Sequence, residues 1–291
     1  MNKKHVFIMK PNLKDTKIET MIVAIMQGYH YEIKYTKYSR HAIKIAKECH
    51  NCRIYAVGGD GLIHEIVQGI VGSDNELVVI PAGTGNDFIR SIADSKDPGV
   101  LLRKSLSLKA QPIDLIKAND IYCINVLCCA FDSDIANNVH NYRKIKFLPK
   151  TLQYVNVLIK RISKYRFYPT KVISNNKVIY NGDLVVCAFC NGRYFGGGFE
   201  IGKDANVQDG FIDLNFVSTL PKRLILYYIF LMLKKRLDLG KLYFHDKLKS
   251  VDLITRQEVN IDGETYQPGR YHLEIVSDLI RVVIYKYCLL Y

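Results

Sequence analysis

The sequence predicts an α/β domain with a mostly parallel sheet, followed by an antiparallel β-sandwich domain. Up to about residue 108, strand-like apolar runs alternate with segments of helical apolar spacing, which is typical of a parallel sheet covered by helices. From Ile113 onward, short β-rich runs separated by glycine and asparagine dominate, as in all-β domains. A chain of 291 residues with 48% hydrophobic residues can build one large core or two ordinary ones. We therefore predict the α/β domain over residues 1–115 and the β-sandwich over residues 116–278.

The elements of the first domain follow from its periodicity. Apolar or alternating runs predict strands at residues 5–9, 31–35, 53–57 and 76–80. Helical spacing of apolar residues predicts helices at 18–27, 39–49, 62–70 and from 88 onward. Ser39 is a plausible N-cap for the second of these helices.

The second domain is predicted from shorter signals. Strands are expected at residues 121–130, 170–173, 184–190, 211–217, 251–255, 258–261, 271–276 and 280–285. Two helical stretches interrupt them, near residues 148–163 and 222–236. We find neither an internal repeat nor a low-complexity segment.

Two glycine–aspartate loops carry the first functional signal. Gly58-Gly59-Asp60-Gly61 lies between a predicted strand and a predicted helix, and Gly83-Thr84-Gly85-Asn86-Asp87 follows the next strand. Glycine backbone N–H groups at a helix N-terminus favour phosphate, because no Cβ atom keeps the anion away. An aspartate in such a loop suits Mg²⁺, which prefers oxygen ligands. One such turn alone could equally be a tight loop without a ligand, but two at successive strands would share one crevice of an open sheet.

The ordered set of motifs along nearly the whole chain resembles the diacylglycerol kinase catalytic-domain family, in its bacterial soluble lipid-kinase branch that includes sphingosine-kinase-like members. The matching segments are residues 58–61, 83–88, 113–115, the glycine-rich stretch 191–210, and Asp262-Gly263-Glu264. The resemblance implies a Rossmann-like first domain of the NAD kinase and diacylglycerol kinase type. It also implies that a last strand, near residues 279–291, returns to that domain.

The family's roles transfer to particular residues by this resemblance. ATP and its Mg²⁺ would be bound by Gly58, Gly59, Asp60, Gly61 and Thr84, with Asp60 also catalytic. Asp87 and Asp114 would support the metal and order the cleft; the alternative for Asp87 is a brace of its own loop.

Two further roles concern the second domain. Glu264 would act as the general base that accepts the proton of a lipid hydroxyl. The alternative for Glu264 is a hairpin-turn carboxylate, since Asp262-Gly263 is itself a turn signal. A structural Mg²⁺ would be held by Asp209 with carbonyl groups of Asn206 and Phe211, and the alternative there is an ordinary Asp-Gly turn.

Three positions depart from the family pattern. Leu62 replaces the usual threonine after the first glycine loop and can neither cap the helix nor donate a hydrogen bond to phosphate. The loop after the first strand retains only its proline, although Lys10 could contribute a point charge to nucleotide binding. Cys128-Cys129-Ala130 stands where glycines are common. These departures bear on nucleotide affinity and turnover rather than on the fold.

The net charge of +13 suits anionic membranes, nucleic acid or phosphorylated ligands. Residues 141–166 hold eight lysines and arginines and no acid, which favours an anionic membrane surface. Basic residues also flank the apolar run 224–233, for which core packing is the preferred interpretation. That run has ten residues against roughly 20 needed to span a bilayer. No nucleic-acid-binding motif is recognised, so no nucleic-acid partner is expected.

Eight cysteines include two Cys-x-x-Cys pairs, at 49–52 and 187–190. Their apolar surroundings favour reduced core thiols over a zinc site. A cytoplasmic, peripherally membrane-associated protein is expected, and a homodimer is left open.

The functional prediction is an ATP- and Mg²⁺-dependent lipid kinase acting on diacylglycerol or a related lipid. Two alternatives remain: a soluble-substrate kinase of the NAD kinase type, and a non-catalytic lipid-binding protein with the kinase fold.

Overall fold

The computed structural model describes residues 3–134, 137, 161, 162, 164–222, 224, 225, 227 and 240–286. The chain forms two compact units. One comprises Met1–Asn125, Asn191–Gly210 and Ile275–Tyr291, and the other comprises Val126–Cys190 and Phe211–Glu274. The second unit differs from the predicted second domain by residues 116–125, 191–210 and 275–278. The boundaries at 115 and 278 therefore stay predictions about functional domains.

The first unit contains the strands and helices of the α/β architecture. Its strands are β1 (Lys4–Met9), β2 (Tyr31–Tyr35), β3 (Cys52–Gly58), β4 (Glu76–Pro81), β5 (Gln111–Ala118), β6 (Ile121–Cys123), β11 (Tyr194–Phe195) and β12 (Phe199–Glu200). Its helices are α1 (Lys17–Ile25), α2 (His41–Lys47), α3 (Asp60–Ile70), α4 (Asp87–Ile92) and α5 (Pro98–Ser107), with a 3₁₀ turn at Pro11–Leu13.

The second unit is built from strands. They are β7 (Val126–Cys128), β8 (Thr170–Ser174), β9 (Lys177–Gly182), β10 (Leu184–Cys190), β13 (Ile212–Ser218), β14 (Tyr243–Leu248), β15 (Ser250–Thr255), β16 (Val259–Ile261) and β17 (Glu264–Tyr266), with a 3₁₀ turn at Gly240–Leu242. Strand β18 (Gly269–Val282) begins in this unit and ends in the first.

The sheet of the first unit is parallel at its centre, as predicted. Its strand order is β2-β1-β3-β4-β18, and each of these neighbouring pairs is parallel. The final residues of β18 complete it, with Arg281 opposite Glu76 and Val282 opposite Leu77. The inner strands are buried on both faces, which explains why they read as continuous apolar runs.

Helix α3 packs the predicted apolar face into the core of this unit. Its buried residues include Ile63, Ile66, Val67 and Ile70, at the spacing of one helical face. Gly69 lets α3 approach α2 closely, because a Cβ atom there would lie 2.7 Å from both the Ala46 side chain and the Ile43 carbonyl oxygen. The prediction of Ser39 as the N-cap of α2 is wrong. The cap is Arg40, whose φ of 67° already lies in the left-handed region.

The second unit is antiparallel, as predicted. One set of strands runs in the order β14-β13-β10-β7-β16-β17. Strand β8 pairs antiparallel with β9 and with β15, and β15 pairs antiparallel with the first half of β18.

Several predicted strand limits need correction. The predicted strand 121–130 is two strands, β6 and β7. The predicted strands 271–276 and 280–285 largely form one strand, β18, which passes through Asp278 at a φ of 61°. Strands β9 and β14 were not predicted, because their residues are mostly exposed or half-buried and their apolar runs are only two or three residues long. Most of the predicted helices 148–163 and 222–236, and most of the basic segment 141–166, lie outside the described residues. Over the part of the chain that the structure describes, no helix is long and apolar enough to cross a membrane.

Candidate functional site

The two glycine loops of the first unit lie against each other at the carboxyl ends of β3 and β4. The strands are in register at Gly58 and Pro81, and the Gly58 carbonyl oxygen accepts a hydrogen bond from Ala82 N at 3.0 Å. A Cβ atom on Gly83 would lie 2.5 Å from Gly59 Cα and 2.8 Å from Gly59 N. Since real side chains do not approach backbone this closely, only glycine fits at position 83.

Asn86 fixes the shape of the second loop. It adopts a φ of 51°, in the left-handed region that asparagine tolerates better than most residues. Its Oδ1 accepts a hydrogen bond from Gly83 N at 3.0 Å, and its Nδ2 donates to Gly83 O at 2.9 Å. The loop is thus closed by its own asparagine before α4 begins.

Asp60 connects the two loops through its side chain. It is the first residue of α3, and its carboxylate accepts hydrogen bonds from Asp87 N at 3.0 and 3.1 Å and from Phe88 N at 3.0 Å. These are the first two N–H groups of α4, so Asp60 caps a neighbouring helix rather than its own. Helix α3 follows Gly59 and has no side-chain cap, which leaves its N-terminus suited to an anion.

Asp87 holds a third glycine loop. Its Oδ2 accepts a hydrogen bond from Gly197 N at 2.8 Å, and its Oδ1 lies 3.5 Å from Arg90 Nε. Burial raises the pKa of Asp87, against the hydrogen bond from Gly197 and the charge of Arg90. The predicted alternative placed Asp87 as a brace of its own loop, but its partner lies 110 residues away.

The glycine loop is shaped to this contact. Gly196, Gly197 and Gly198 all have positive φ values, and a Cβ atom on Gly198 would lie 2.9 Å from Arg90 Cζ. The backbone conformation of this third glycine loop therefore favours glycine at all three positions, and Gly198 packs against the guanidinium of Arg90.

Asp114 forms hydrogen bonds with residues 207 and 210, in the segment that carries the predicted second metal site. It is buried in β5, where its Oδ2 accepts a hydrogen bond from Gly210 N at 2.8 Å and its Oδ1 accepts one from the Ser277 hydroxyl. Its backbone N donates to Val207 O at 2.7 Å. In the described contacts, Asp114 therefore positions a loop.

The segment 206–210 has the geometry of a turn. Asp209 N donates to Asn206 O at 3.4 Å, Asn206 Oδ1 accepts from Gln208 N at 3.1 Å, and Gly210 has a φ of 73°. Phe211 belongs to the second unit, where the Lys249 ammonium lies 5.7 Å from its ring centroid. Among the described residues, no cluster of three or more His, Cys, Asp or Glu side chains could hold a metal. The metal role of Asn206, Asp209 and Phe211 stays a prediction.

Three positions predicted to bear on the nucleotide differ in exposure. Thr84 and Lys10 are both exposed. The backbone carbonyl oxygen of Lys10 accepts the hydrogen bond from Leu13 N that closes the 3₁₀ turn after β1. Leu62 is only 2% exposed, and its Cδ2 would lie 2.7 Å from a Cβ atom on Gly58. The side chain of Leu62 is therefore part of the core. Its position does not support the expectation that a threonine hydroxyl is missing from a phosphate contact here.

Glu264 follows a two-residue turn in the second unit. Asp262 and Gly263 have φ values of 53° and 96°, and Glu264 pairs with Ile261 across the hairpin. The turn is fixed because Asp262 Oδ1 accepts from Val126 N at 3.2 Å and Asp262 N donates to Val126 O at 3.1 Å. The carboxylate of Glu264 is exposed beside this rigid turn, and its catalytic role stays a prediction.

Two polar residues with specific contacts were missed by the sequence analysis. Arg90, three residues after Asp87, supports both Asp87 and Gly198; its i,i+3 spacing on α4 was the available signal. In the second unit, burial raises the pKa of Asp132 to about 8, and its Oδ2 accepts from Cys187 N at 3.2 Å. Its signal was an aspartate placed directly after the apolar run 126–131. The described cysteines are all buried free thiols.

Comparison with known proteins agrees with this geometry. Residues 12–118 match the family described as "Diacylglycerol kinase catalytic domain", and residues 126–283 match "YegS C-terminal NAD kinase beta sandwich-like domain". The chain is 24% identical over 300 aligned residues to "Probable lipid kinase YegS-like" of Shewanella frigidimarina, covering 98% of this chain and 95% of that protein. It is 27% identical over 187 residues to "Diacylglycerol kinase" of Mycobacterium tuberculosis, covering 62% of this chain and 60% of that protein.

Solved structures share the fold. A diacylglycerol kinase structure from Bacillus anthracis superposes with a TM-score of 0.74 at 23% identity, covering 99% of each chain. An NAD kinase from Archaeoglobus fulgidus in complex with ATP superposes with a TM-score of 0.53 at 11% identity, covering 97% of this chain and 93% of that one. The chain therefore belongs to the family of lipid kinases in which a diacylglycerol kinase catalytic domain precedes a YegS-type, NAD kinase-like β-sandwich domain.

Proposed function

We propose that this protein is an ATP- and Mg²⁺-dependent kinase that transfers the γ-phosphoryl group to the hydroxyl of diacylglycerol or a related lipid. The observation that carries the proposal is the contact between Gly59 and Gly83, which leaves no room for a Cβ atom. It brings two glycine loops together beside the N-terminus of α3, which lacks a side-chain cap. Backbone N–H groups in such an arrangement suit a nucleotide phosphate.

The acidic residues fit Mg²⁺ in the manner typical of nucleotide sites. Mg²⁺ usually keeps several waters and binds through one or two carboxylates plus substrate phosphates, rather than in a cage made wholly of protein. Asp60, on the loop itself, would be the protein ligand. When bound, the metal would neutralise phosphate charge as the phosphoryl group moves.

The other acids of the first unit have positioning roles in this proposal. Asp87 and Asp114 are both buried and accept backbone hydrogen bonds from Gly197 and Gly210. They would keep the glycine-rich segments in place around the nucleotide. Lys10 and Thr84 would contact phosphate, which their exposure supports.

Glu264 would be the general base in the second unit. Its exposure on a rigid turn suits a group that accepts a proton from a substrate hydroxyl. Asp209, with carbonyl groups of Asn206 and Phe211, would hold a structural Mg²⁺. We further propose that the protein meets its lipid at an anionic membrane surface, which the net charge of +13 supports.

The test is transfer of labelled γ-phosphate from ATP to a panel of hydroxylated lipids in mixed micelles, with and without Mg²⁺. Glu264→Gln should abolish turnover while leaving ATP affinity, measured by calorimetry, unchanged. A wild-type protein that binds ATP but labels no lipid in the panel would contradict the lipid substrate. A Glu264→Gln variant with wild-type turnover would contradict the assignment of the base.

The same experiments separate the alternatives. The fold likeness to an NAD kinase favours a soluble-substrate kinase as the second candidate, and phosphorylation of NAD by the purified protein would establish it. The absence of measurable ATP binding would instead favour a non-catalytic lipid-binding protein.

A further inference from the structure

A cationic cavity opens within the second unit, and no role assigned above uses it. Its volume is about 380 Å³, within the range of small-molecule sites. The charged residues lining it are Arg161, Lys164, Arg166, Arg256, Asp134 and Glu258. Four cations against two acids give the lining a net charge of +2.

Not all of these charges are available to a ligand. Arg161 donates from Nε to Asp134 Oδ2 at 2.8 Å, so the charges of these two lining residues cancel. Lys164, Arg166 and Arg256 are exposed at the opening, and none of them forms an ion pair with another described residue. The opening therefore presents three cations against the single carboxylate of Glu258, which favours an anionic ligand.

The base of the cavity is built rigidly. The Tyr165 ring packs against Phe131 and Phe167, with ring centroids 4.9 and 5.0 Å away. Its hydroxyl donates to the Gln257 side chain, whose Nε2 donates in turn to Tyr168 O at 3.3 Å. Burial raises the pKa of Tyr165, so that its hydroxyl remains a neutral donor at all physiological pH values.

We propose that this cavity is a binding site for a phosphate-bearing anion, either a lipid headgroup or a soluble phosphate ester. Guanidinium groups bind phosphate oxygens through paired, charge-assisted hydrogen bonds, and two of the three available cations are arginines. The aromatic base offers apolar surface beside the charged opening, which suits an ester with a carbon skeleton. The inference concerns binding by the second unit and does not depend on phosphoryl transfer.

The experiment compares two double variants that each lose two positive charges. Arg166→Gln with Arg256→Gln removes cations from the cavity, while Lys177→Gln with Arg281→Gln removes exposed cations elsewhere. Binding is measured without ATP, to inorganic phosphate and glycerol 3-phosphate by calorimetry, and by co-sedimentation with phosphatidylcholine vesicles containing or lacking phosphatidylglycerol. Urea midpoints establish that both variants are folded.

The double cavity variant should bind its anion about 25-fold more weakly, since each cation near an anionic lipid surface contributes roughly fivefold. The control variant should lose much less. Arg166→Lys with Arg256→Lys, which keeps the charge, should restore part of the affinity. Loss confined to phosphatidylglycerol vesicles identifies a headgroup, and loss for the soluble probes identifies a phosphate ester. No binding by the wild-type protein to any anionic probe, or equal losses in the two double variants, would overturn the proposal.

Discussion

The contact between the two glycine loops predicts a large effect of one methyl group. In Gly83→Ala, the new Cβ atom would lie 2.5 Å from Gly59 Cα and 2.8 Å from Gly59 N. Ordinary carbon–carbon contacts are at least about 3.5 Å, so one loop must move by about 1 Å. Neither neighbour is the end of a flexible side chain, so the shift must be made by backbone at the ends of β3 and β4.

Overpacking of this kind costs about 1–3 kcal/mol of folding free energy. We expect Gly83→Ala to lower the urea midpoint accordingly and to weaken ATP binding, because the loops proposed to hold phosphate are pushed apart. Gly59→Ala should be milder, since its Cβ atom would lie 3.3 Å from Gly83 Cα. Gly269→Ala provides the matched control, because nothing lies within 4 Å of its Cβ position.

Urea denaturation and ATP calorimetry on the three variants give the comparison. A Gly83→Ala protein with the stability and ATP affinity of wild type would refute the close packing of the loops. Reduced stability with unchanged ATP affinity would retain the packing but contradict the proposed phosphate site.

Three further predictions concern Leu62, Asp60 and Asp132. Leu62→Thr should lower stability by about 2 kcal/mol through lost burial, and should not raise ATP affinity in calorimetry, because the side chain at 62 is in the core. Asp60→Asn should keep most of the stability in urea denaturation, since its amide oxygen can still cap α4, but should lose turnover. Asp60→Ala should lose turnover as well as about 1 kcal/mol of stability, because the cap is removed. Burial raises the pKa of Asp132 to about 8 in the folded protein, above its unfolded value, so wild-type stability should fall between about pH 4 and pH 8, because the carboxyl ionises in the unfolded chain but stays protonated in the folded one. Asp132→Asn should reduce that slope in urea midpoints measured across this range.

Elements with a strong local signal were predictable from sequence. Strands β3 and β4 are buried on both faces, and α3 repeats apolar residues on one face, so periodicity located all three. Strand β9 was missed because its pattern is mostly exposed, and its pairing with β8 decides its conformation instead. Strand β18 was divided in the prediction because Ser277 and Asp278 interrupt its apolar pattern, but the strand continues on both sides of Asp278 in spite of its left-handed φ.

The candidate residues were found by motif, but their contacts were not. The partners of Asp87 and Asp114 lie 110 and 96 residues away, and no local pattern encodes such pairs. At position 62 the limit of the predicted helix needs correction. The prediction began the helix at residue 62, whereas α3 begins at Asp60 and the Leu62 side chain lies in the core. The burial of a helical residue depends on where the helix starts, and the glycine run concealed that start.

The contacts of Asp60 suggest why an acid at this position serves both loops. The N-cap residue of α4, Asn86, uses its side chain to close the loop at Gly83. The Asp60 carboxylate takes over the capping role, because it accepts hydrogen bonds from Asp87 N and Phe88 N. The same bonds hold the loop before α4 against the N-terminus of α3. A nucleotide phosphate bound at α3 would therefore meet a second loop whose position is set by Asp60, and the loss of the acid would disturb the proposed phosphate site even if the residue never touched a metal. This coupling makes the asparagine variant informative, because it retains one capping oxygen while it removes the negative charge and replaces the second carboxylate oxygen with an NH2 donor.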